Sequence, residues 1–157
     1  MSSYWFKNFC GLPVTDFELL KVPHPGAEFS IHVTLRSIQT GALLGSILGP
    51  LSTALFANTD RRFDLRTVKS QFVSGGMQGA LIGAVLGPCI TWYSIRNMST
   101  VALYDKCYKL RFDNQQLWLD RTTVISGAVG ALSNGSLGFI VGLDLALVMS
   151  NLMGRAW

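Results

Sequence analysis

A ten-residue segment occurs twice in this sequence, and it constrains the fold more than any other feature. Residues 41–50 read GALLGSILGP and residues 79–88 read GALIGAVLGP. A glycine recurs at every fourth position, so the glycines fall on one stripe of a helix. The stripes comprise Gly41, Gly45, Gly49, Gly75, Gly79, Gly83 and Gly87. Such stripes let two helix backbones approach closely, which is how apolar helices pack in lipid.

Long stretches of the chain carry no charge. Charged residues make up only 14% of the sequence, against about 25% in a soluble domain. None occurs in residues 37–59, 70–95 or 122–143, and a membrane-spanning helix needs about 20 apolar residues. The net charge of +4 comes from basic residues between these stretches. No basic stripe alternates with aromatic residues, so we expect no nucleic-acid partner.

These patterns predict an all-α membrane protein with four short transmembrane helices packed through glycine stripes. We expect spans at about residues 37–56, 70–95, 117–132 and 137–152, within a transmembrane domain of residues 37–157. Residues 1–36 form a leader outside the membrane, and residues 101–110 could continue the second span as a helix. A turn signal at residues 133–136 divides the last apolar stretch, although one kinked helix is an alternative. Four spans place every tryptophan on one side of the membrane, at the interface that tryptophan favours: Trp5, Trp92, Trp118 and Trp157.

Several side chains within the predicted spans are candidates for function. Gly138 and Gly142 extend the glycine pattern into the fourth span. The first two spans could simply pack together, or they could enclose a groove lined by polar residues such as Gln39 and Gln78. Asp144 is the one charged residue that lies well inside a predicted span, and an acid at this depth is a candidate functional site. Its counter-ion could be Arg36 or Arg121, or the residue could lie nearer the surface.

The remaining reactive side chains show no catalytic or metal-binding pattern. The three cysteines lack metal-ligand spacing. Four spans would bring Cys10 and Cys89 to the same side, so a disulfide between them is one prediction and three reduced cysteines the other. His24 and His32 have no neighbouring ligand cluster in the sequence. No nucleophile–base set or nucleotide fingerprint is present, so we expect neither enzymatic activity nor a cofactor.

The arrangement resembles a known family. Short spans with glycine stripes in each half, a charged connection at residues 60–69 and a small-residue turn before the last span are similar to the mitochondrial inner-membrane translocase-like superfamily. Arg96 and Asp120-Arg121, ahead of Ser126-Gly127, match its Arg–Asp signature loosely. One relative is a four-helix accessory subunit in the membrane arm of respiratory complex I. Cys89 and the closing residues 153–157 are similar to that subunit.

The resemblance covers residues 36–157 and implies a function. It implies a non-catalytic accessory subunit of mitochondrial complex I, the NADH:ubiquinone oxidoreductase, that stabilises or assembles the membrane arm. The implied location is the mitochondrial inner membrane, with several crossings. Implied partners are other membrane-arm subunits, a neighbouring respiratory complex and membrane lipid. The alternative is a channel-like subunit of a protein-import translocase.

Overall fold

The computed structural model describes residues 3–56 and 64–154. Within these ranges every regular element is a helix, so the all-α prediction is confirmed there. Part of the charged connection and the closing residues 155–157 lie outside the described residues. The elements are α1 Ser3–Phe9, α2 Asp16–Leu19, α3 Pro25–Phe56, α4 Leu65–Arg96, α5 Thr100–Phe112 and α6 Asn114–Gly154.

Three helices are long and apolar enough to cross a membrane: Pro25–Leu55, Leu65–Arg96 and Asn114–Leu152. The first begins at Pro25, so residues 25–36, which the sequence analysis assigned to the leader, continue the first long helix. Proline suits the first turn of a helix because its missing N–H would be unpaired there anyway. Glu28 adds an acid to the same turn, where it is favoured by the helix dipole.

The helix α4 ends before the segment that we expected to prolong it. Asn97 has non-helical backbone angles, and α5 starts again at Thr100. The Ser99 side chain caps α5 by accepting a hydrogen bond from the Ala102 amide at 3.3 Å, as a serine N-cap does. Residues 101–110 therefore form a separate helix.

The last helix, α6, folds back on itself at its middle. Asn134 (φ −145°, ψ 29°) and Gly135 (φ 58°, ψ −139°) leave helical geometry, at the turn signal in the sequence. Thr122 and Ser150 are 28 residues apart, yet their hydroxyl oxygens are 3.2 Å apart. A straight helix would separate them by about 42 Å. Residues 114–133 and 136–154 are thus two antiparallel helical segments.

The core lies where the α3–α4 pair meets the two segments of α6. Its buried apolar side chains come from all three helices, and Ile140 is completely buried. Gly76, in α4, faces Ile140 so closely that a β-carbon there would lie 2.8 Å from its Cγ2. The core cluster comprises Ala42, Ala80, Leu119, Ile140, Leu143 and Leu147.

Large apolar side chains cover the outer faces of the long helices. Leu55, Val85 and Leu132 are 71%, 68% and 90% exposed. Contiguous apolar surface of this kind is uncommon on soluble monomers, whereas it is ordinary for helices that contact lipid.

The turn at Gly135 depends on glycine. A φ of 58° with a ψ of −139° is open to glycine and disfavoured for residues that carry a β-carbon. No atom lies within 4 Å of a β-carbon built at this position, so a substitution acts through the backbone alone.

We expect Gly135→Ala to destabilise the folded chain by about 1–3 kcal/mol, the cost of holding alanine in a strained region. Thermal unfolding of the purified protein in mild detergent measures the effect. Ser136→Ala, which changes an exposed neighbour outside the strained position, is the control. Equal melting temperatures for wild type and Gly135→Ala would contradict the account.

Candidate functional site

The helices α3 and α4 are in backbone contact from residue 34 to 49 of α3 and from 71 to 87 of α4. At Gly41, Gly45, Gly75 and Gly79, a β-carbon would overlap the carbonyl oxygen of a glycine in the opposite helix. Gly49 faces the Gln71 carbonyl in the same way. These contacts run antiparallel, and we call them the glycine seam.

The seam continues toward the start of α3, where larger residues oppose the glycines. Gly83 faces the Ser37 carbonyl, and Gly87 faces the Cα of Thr34. All seven glycines singled out from the repeat are thus in the seam. Only glycine allows this separation, since any β-carbon would collide with backbone that cannot move aside independently.

The two segments of α6 meet through a shorter contact of the same kind. A β-carbon at Gly138 would overlap the Gly130 carbonyl oxygen, and one at Gly142 would overlap the Ser126 carbonyl oxygen. Gly138 and Gly142 therefore face the other half of their own helix. This contact holds the two segments of α6 together next to the Gly135 turn.

An open groove of about 1010 Å³ follows one side of the glycine seam. Gly41, Gly45 and Gly79 line its floor, and apolar residues such as Leu44 and Ile82 line its sides. Polar residues are also present: His32, Arg36, Ser37, Thr40, Ser52, Gln78 and Gln116. Gln78 thus borders the groove as the sequence analysis anticipated.

Gln39 lies elsewhere, in a buried polar cluster between α3 and α6. Its side-chain amide donates to Asp120 at 3.2 Å and to Thr123 at 2.7 Å. Asp120 also contacts the His32 Nδ1 at 3.1 Å and the Arg36 Nε at 3.7 Å. The carboxyl group of Asp120 thereby ties three turns of α3 to the first turns of α6.

Asp144 is buried between α3 and the second segment of α6. The Ser46 hydroxyl is 2.6 Å from its Oδ2, while its Oδ1 has no hydrogen-bond partner among the described residues. The expected counter-ions were wrong. Arg36 pairs with Asp120, and Arg121 donates to the carbonyls of Phe9 and Asn8.

A buried ion pair fastens α5 to α3. The Arg111 guanidinium donates two hydrogen bonds to the Glu28 carboxylate, 2.5 and 2.7 Å long from Nη2, and a third of 2.9 Å from Nε. Its Nη1 donates to the carbonyls of Leu19 and Lys21 at 2.6 and 3.0 Å. Arg111 and Arg121 together hold the residues that precede α3 against the longer helices. Removing one partner of such a pair would leave a buried charge, at a cost of about 3–5 kcal/mol.

Of the two alternatives for the cysteines, the structure has the three reduced thiols and not the disulfide between Cys10 and Cys89. All three cysteines are free, and Cys10 and Cys89 are exposed. Cys107 is buried, with its thiol 3.2 Å from the Pro25 carbonyl. Among the described residues there is no cluster of histidine, cysteine or acidic side chains that could hold a metal ion.

A family profile matches residues 5–153 under the description "Protein of unknown function (DUF1757)". The chain belongs to the DUF1757 family. Comparison of this DUF1757 chain with curated proteins gave no match. The matched residues include the glycine seam, the groove and both buried polar clusters.

Sequence reasoning missed the polar clusters of this DUF1757 protein. Glu28, His32 and Arg36 recur at every fourth position and share one face of α3. This spacing is visible in the sequence, but it indicates a shared helix face only when the helix is known to begin at Pro25. Their partners Arg111 and Asp120 are more than 80 residues away along the chain, and no local pattern specifies them.

Burial raises the pKa of the Cys107 thiol to about 11, and the nearby Glu28 carboxylate adds to the effect. The nucleophilic thiolate therefore forms only as the pH approaches 11. At pH 8 we expect a water-soluble maleimide to modify Cys10 and to leave Cys107 unmodified in the folded DUF1757 protein. Mass spectrometry of the peptides checks this, with denatured protein as the control. Equal labelling of both cysteines would contradict the buried position.

Proposed function

We propose that this protein is a non-catalytic structural subunit of the membrane arm of mitochondrial respiratory complex I. In this proposal it crosses the inner membrane four times, as α3, α4 and the two segments of α6. It stabilises or assembles the arm by presenting a rigid apolar surface to neighbouring subunits, and the contacts with those subunits replace part of its lipid contact.

The observation that carries the structural role is the glycine seam. Backbone contact over several turns fixes α3 and α4 relative to each other, while the outer faces keep Leu55, Val85 and other large apolar side chains exposed. A preformed body with such faces loses little conformational freedom when a partner helix packs against it.

Four crossings are supported by where the chain turns. Residues 114–133 and 136–154 of α6 would each be about 30 Å long, which matches the hydrocarbon thickness of a bilayer. Arg66 and Lys69, which follow the first connection, line one small cavity together with Ser136, which follows the Gly135 turn. The start of α4 and the Gly135 turn therefore lie at the same end of the molecule, as four crossings require.

The assignment to complex I and to mitochondria derives from the resemblance of residues 36–157 alone. Native-gel separation of mitochondrial membranes in mild detergent, with mass spectrometry of the band that holds this chain, tests it. Co-migration with NADH dehydrogenase activity supports the proposal. Migration with protein-import components would replace it with the translocase alternative, and absence from mitochondria would overturn both.

We expect Gly79→Leu to separate α3 from α4 and to deplete the assembled complex. Overpacking side chains alone costs about 1–3 kcal/mol, and here the added side chain meets backbone. The native-gel band intensity relative to total protein measures the effect. Ala128→Leu introduces the same side chain at an exposed helical position and should leave assembly unchanged. Normal assembly of Gly79→Leu would count against the packing role.

The second candidate is a channel-like subunit of a protein-import translocase, and the groove is the observation that favours it. Ser37, Thr40 and Gln78 provide polar atoms along one side of the glycine seam. A polypeptide passing through the membrane needs such a surface, because its backbone groups must stay hydrogen-bonded or hydrated.

Cysteine accessibility distinguishes the two candidates. Gln78→Cys and Thr40→Cys, in a chain whose native cysteines are replaced by serine, place thiols in the groove. The buried Gln39→Cys is the unreactive control. For a structural subunit we expect a membrane-impermeant maleimide to leave all three unlabelled in intact membranes. Labelling at Gln78→Cys and Thr40→Cys alone would indicate a water-filled groove and favour the translocase.

A further inference from the structure

The groove beside the glycine seam has one strongly polar end. His32, Arg36 and Gln116 line that end, whereas Leu44, Leu48 and Ile82 line the stretch farther along. No aspartate or glutamate is among the lining residues. The groove therefore combines a basic end with an apolar stretch. Such a surface is complementary to an amphiphile with an acidic head and an apolar tail.

Arg36 is positioned to bind an acceptor at the polar end. Its side chain is 34% exposed, and its contact with Asp120 is an ion pair of 3.7 Å through Nε, longer than a hydrogen bond. Arg36 forms no hydrogen bond with another described residue. The N–H donors of Arg36 are therefore not engaged in hydrogen bonds to the described residues, and a guanidinium binds phosphate oxygens well.

Asp120 contacts two residues of the polar end, but it does not itself line the groove. Its carboxylate is 3% exposed, and it contacts His32 and Arg36 from beneath the groove. Because Asp120 does not line the groove, the groove surface presents the Arg36 side chain and no carboxylate for the cationic head of a zwitterionic lipid. The site should therefore favour a head whose net charge is negative.

The polar end also lies at a suitable depth. Ile90 and Gln116 border it, and two residues farther along the chain come the exposed Trp92 and Trp118. Tryptophan side chains favour the membrane–water interface, at the level of the lipid headgroups. From Arg36, the groove runs past Gly41 and Leu44 toward the middle of the bilayer.

We propose that the groove holds one anionic glycerophospholipid, with its phosphate bound by Arg36 and Gln116 and one acyl chain lying over the glycine seam. The inference rests on the proposed structural function, since a translocase would keep the same groove filled with water. The lipid fills a surface that α3 and α4, being in backbone contact, cannot fill with their own side chains.

Native mass spectrometry of the purified protein tests this, after incubation with equal amounts of phosphatidylglycerol and phosphatidylcholine in mild detergent. We expect the wild type to retain one phosphatidylglycerol in preference. Arg36→Gln should reduce that preference roughly tenfold, the effect of losing a charge-assisted hydrogen bond. Arg96→Gln removes an exposed cation that stacks on Trp92 outside the groove and should keep the preference.

A second variant separates lipid binding from the stability of the Asp120 cluster. Leu44→Trp fills the groove at a half-exposed position and leaves Arg36 intact, so we expect it to lose the retained lipid while the melting temperature stays unchanged. Equal retention of the two lipids by the wild type would overturn the proposal, as would an unchanged preference in Arg36→Gln. Displacement of the lipid by inorganic phosphate would also overturn it, since the groove would then be an anion site only. The measurement uses isolated protein, so failure of the assembly proposal would not alter its outcome.

Discussion

The backbone contact between α3 and α4 is the constraint on which the rest of the structure depends. Apolar side chains gain little by meeting each other in lipid, so helix association there relies on close packing. The glycine seam supplies it, because each glycine removes the one group that would keep the helices apart. Every other feature is arranged around this pair: α6 packs against it through Ile140, and the groove follows its open side.

The polar side chains within the helical body form clusters that connect different helices. The Asp120 cluster and the Arg111–Glu28 pair join segments that are distant in sequence. Two buried oxygens, Gln39 Oε1 and Asp144 Oδ1, lack a partner among the described residues. Unsatisfied polar atoms are costly away from water, so these two oxygens are the places in the described interior where a further hydrogen-bond donor would be favourable.

Whether a feature could be predicted from the sequence depends on how far apart along the chain its interacting residues lie. The glycine stripes, the apolar stretches and the turn near Gly135 are short-range patterns, and all of them correspond to features of the structure. The leader was predicted to extend to residue 36, whereas α3 begins at Pro25, because proline can occupy the first turn of a helix. The partner of Asp144, the absence of a Cys10–Cys89 bond and the Asp120 cluster depend on contacts between residues about 80 or more apart. No periodicity encodes such pairings.

The fold-back at Gly135 has a consequence for how the chain acquires its structure. Each hairpin joins helical segments that are neighbours in sequence: α3 with α4, and the two segments of α6 across a two-residue turn. Local contacts form early and fast because little chain entropy is lost in closing them. The two hairpins are therefore suited to form one after the other during synthesis. Their docking through Gly76 and Ile140 then becomes the late step that commits the chain to its final topology.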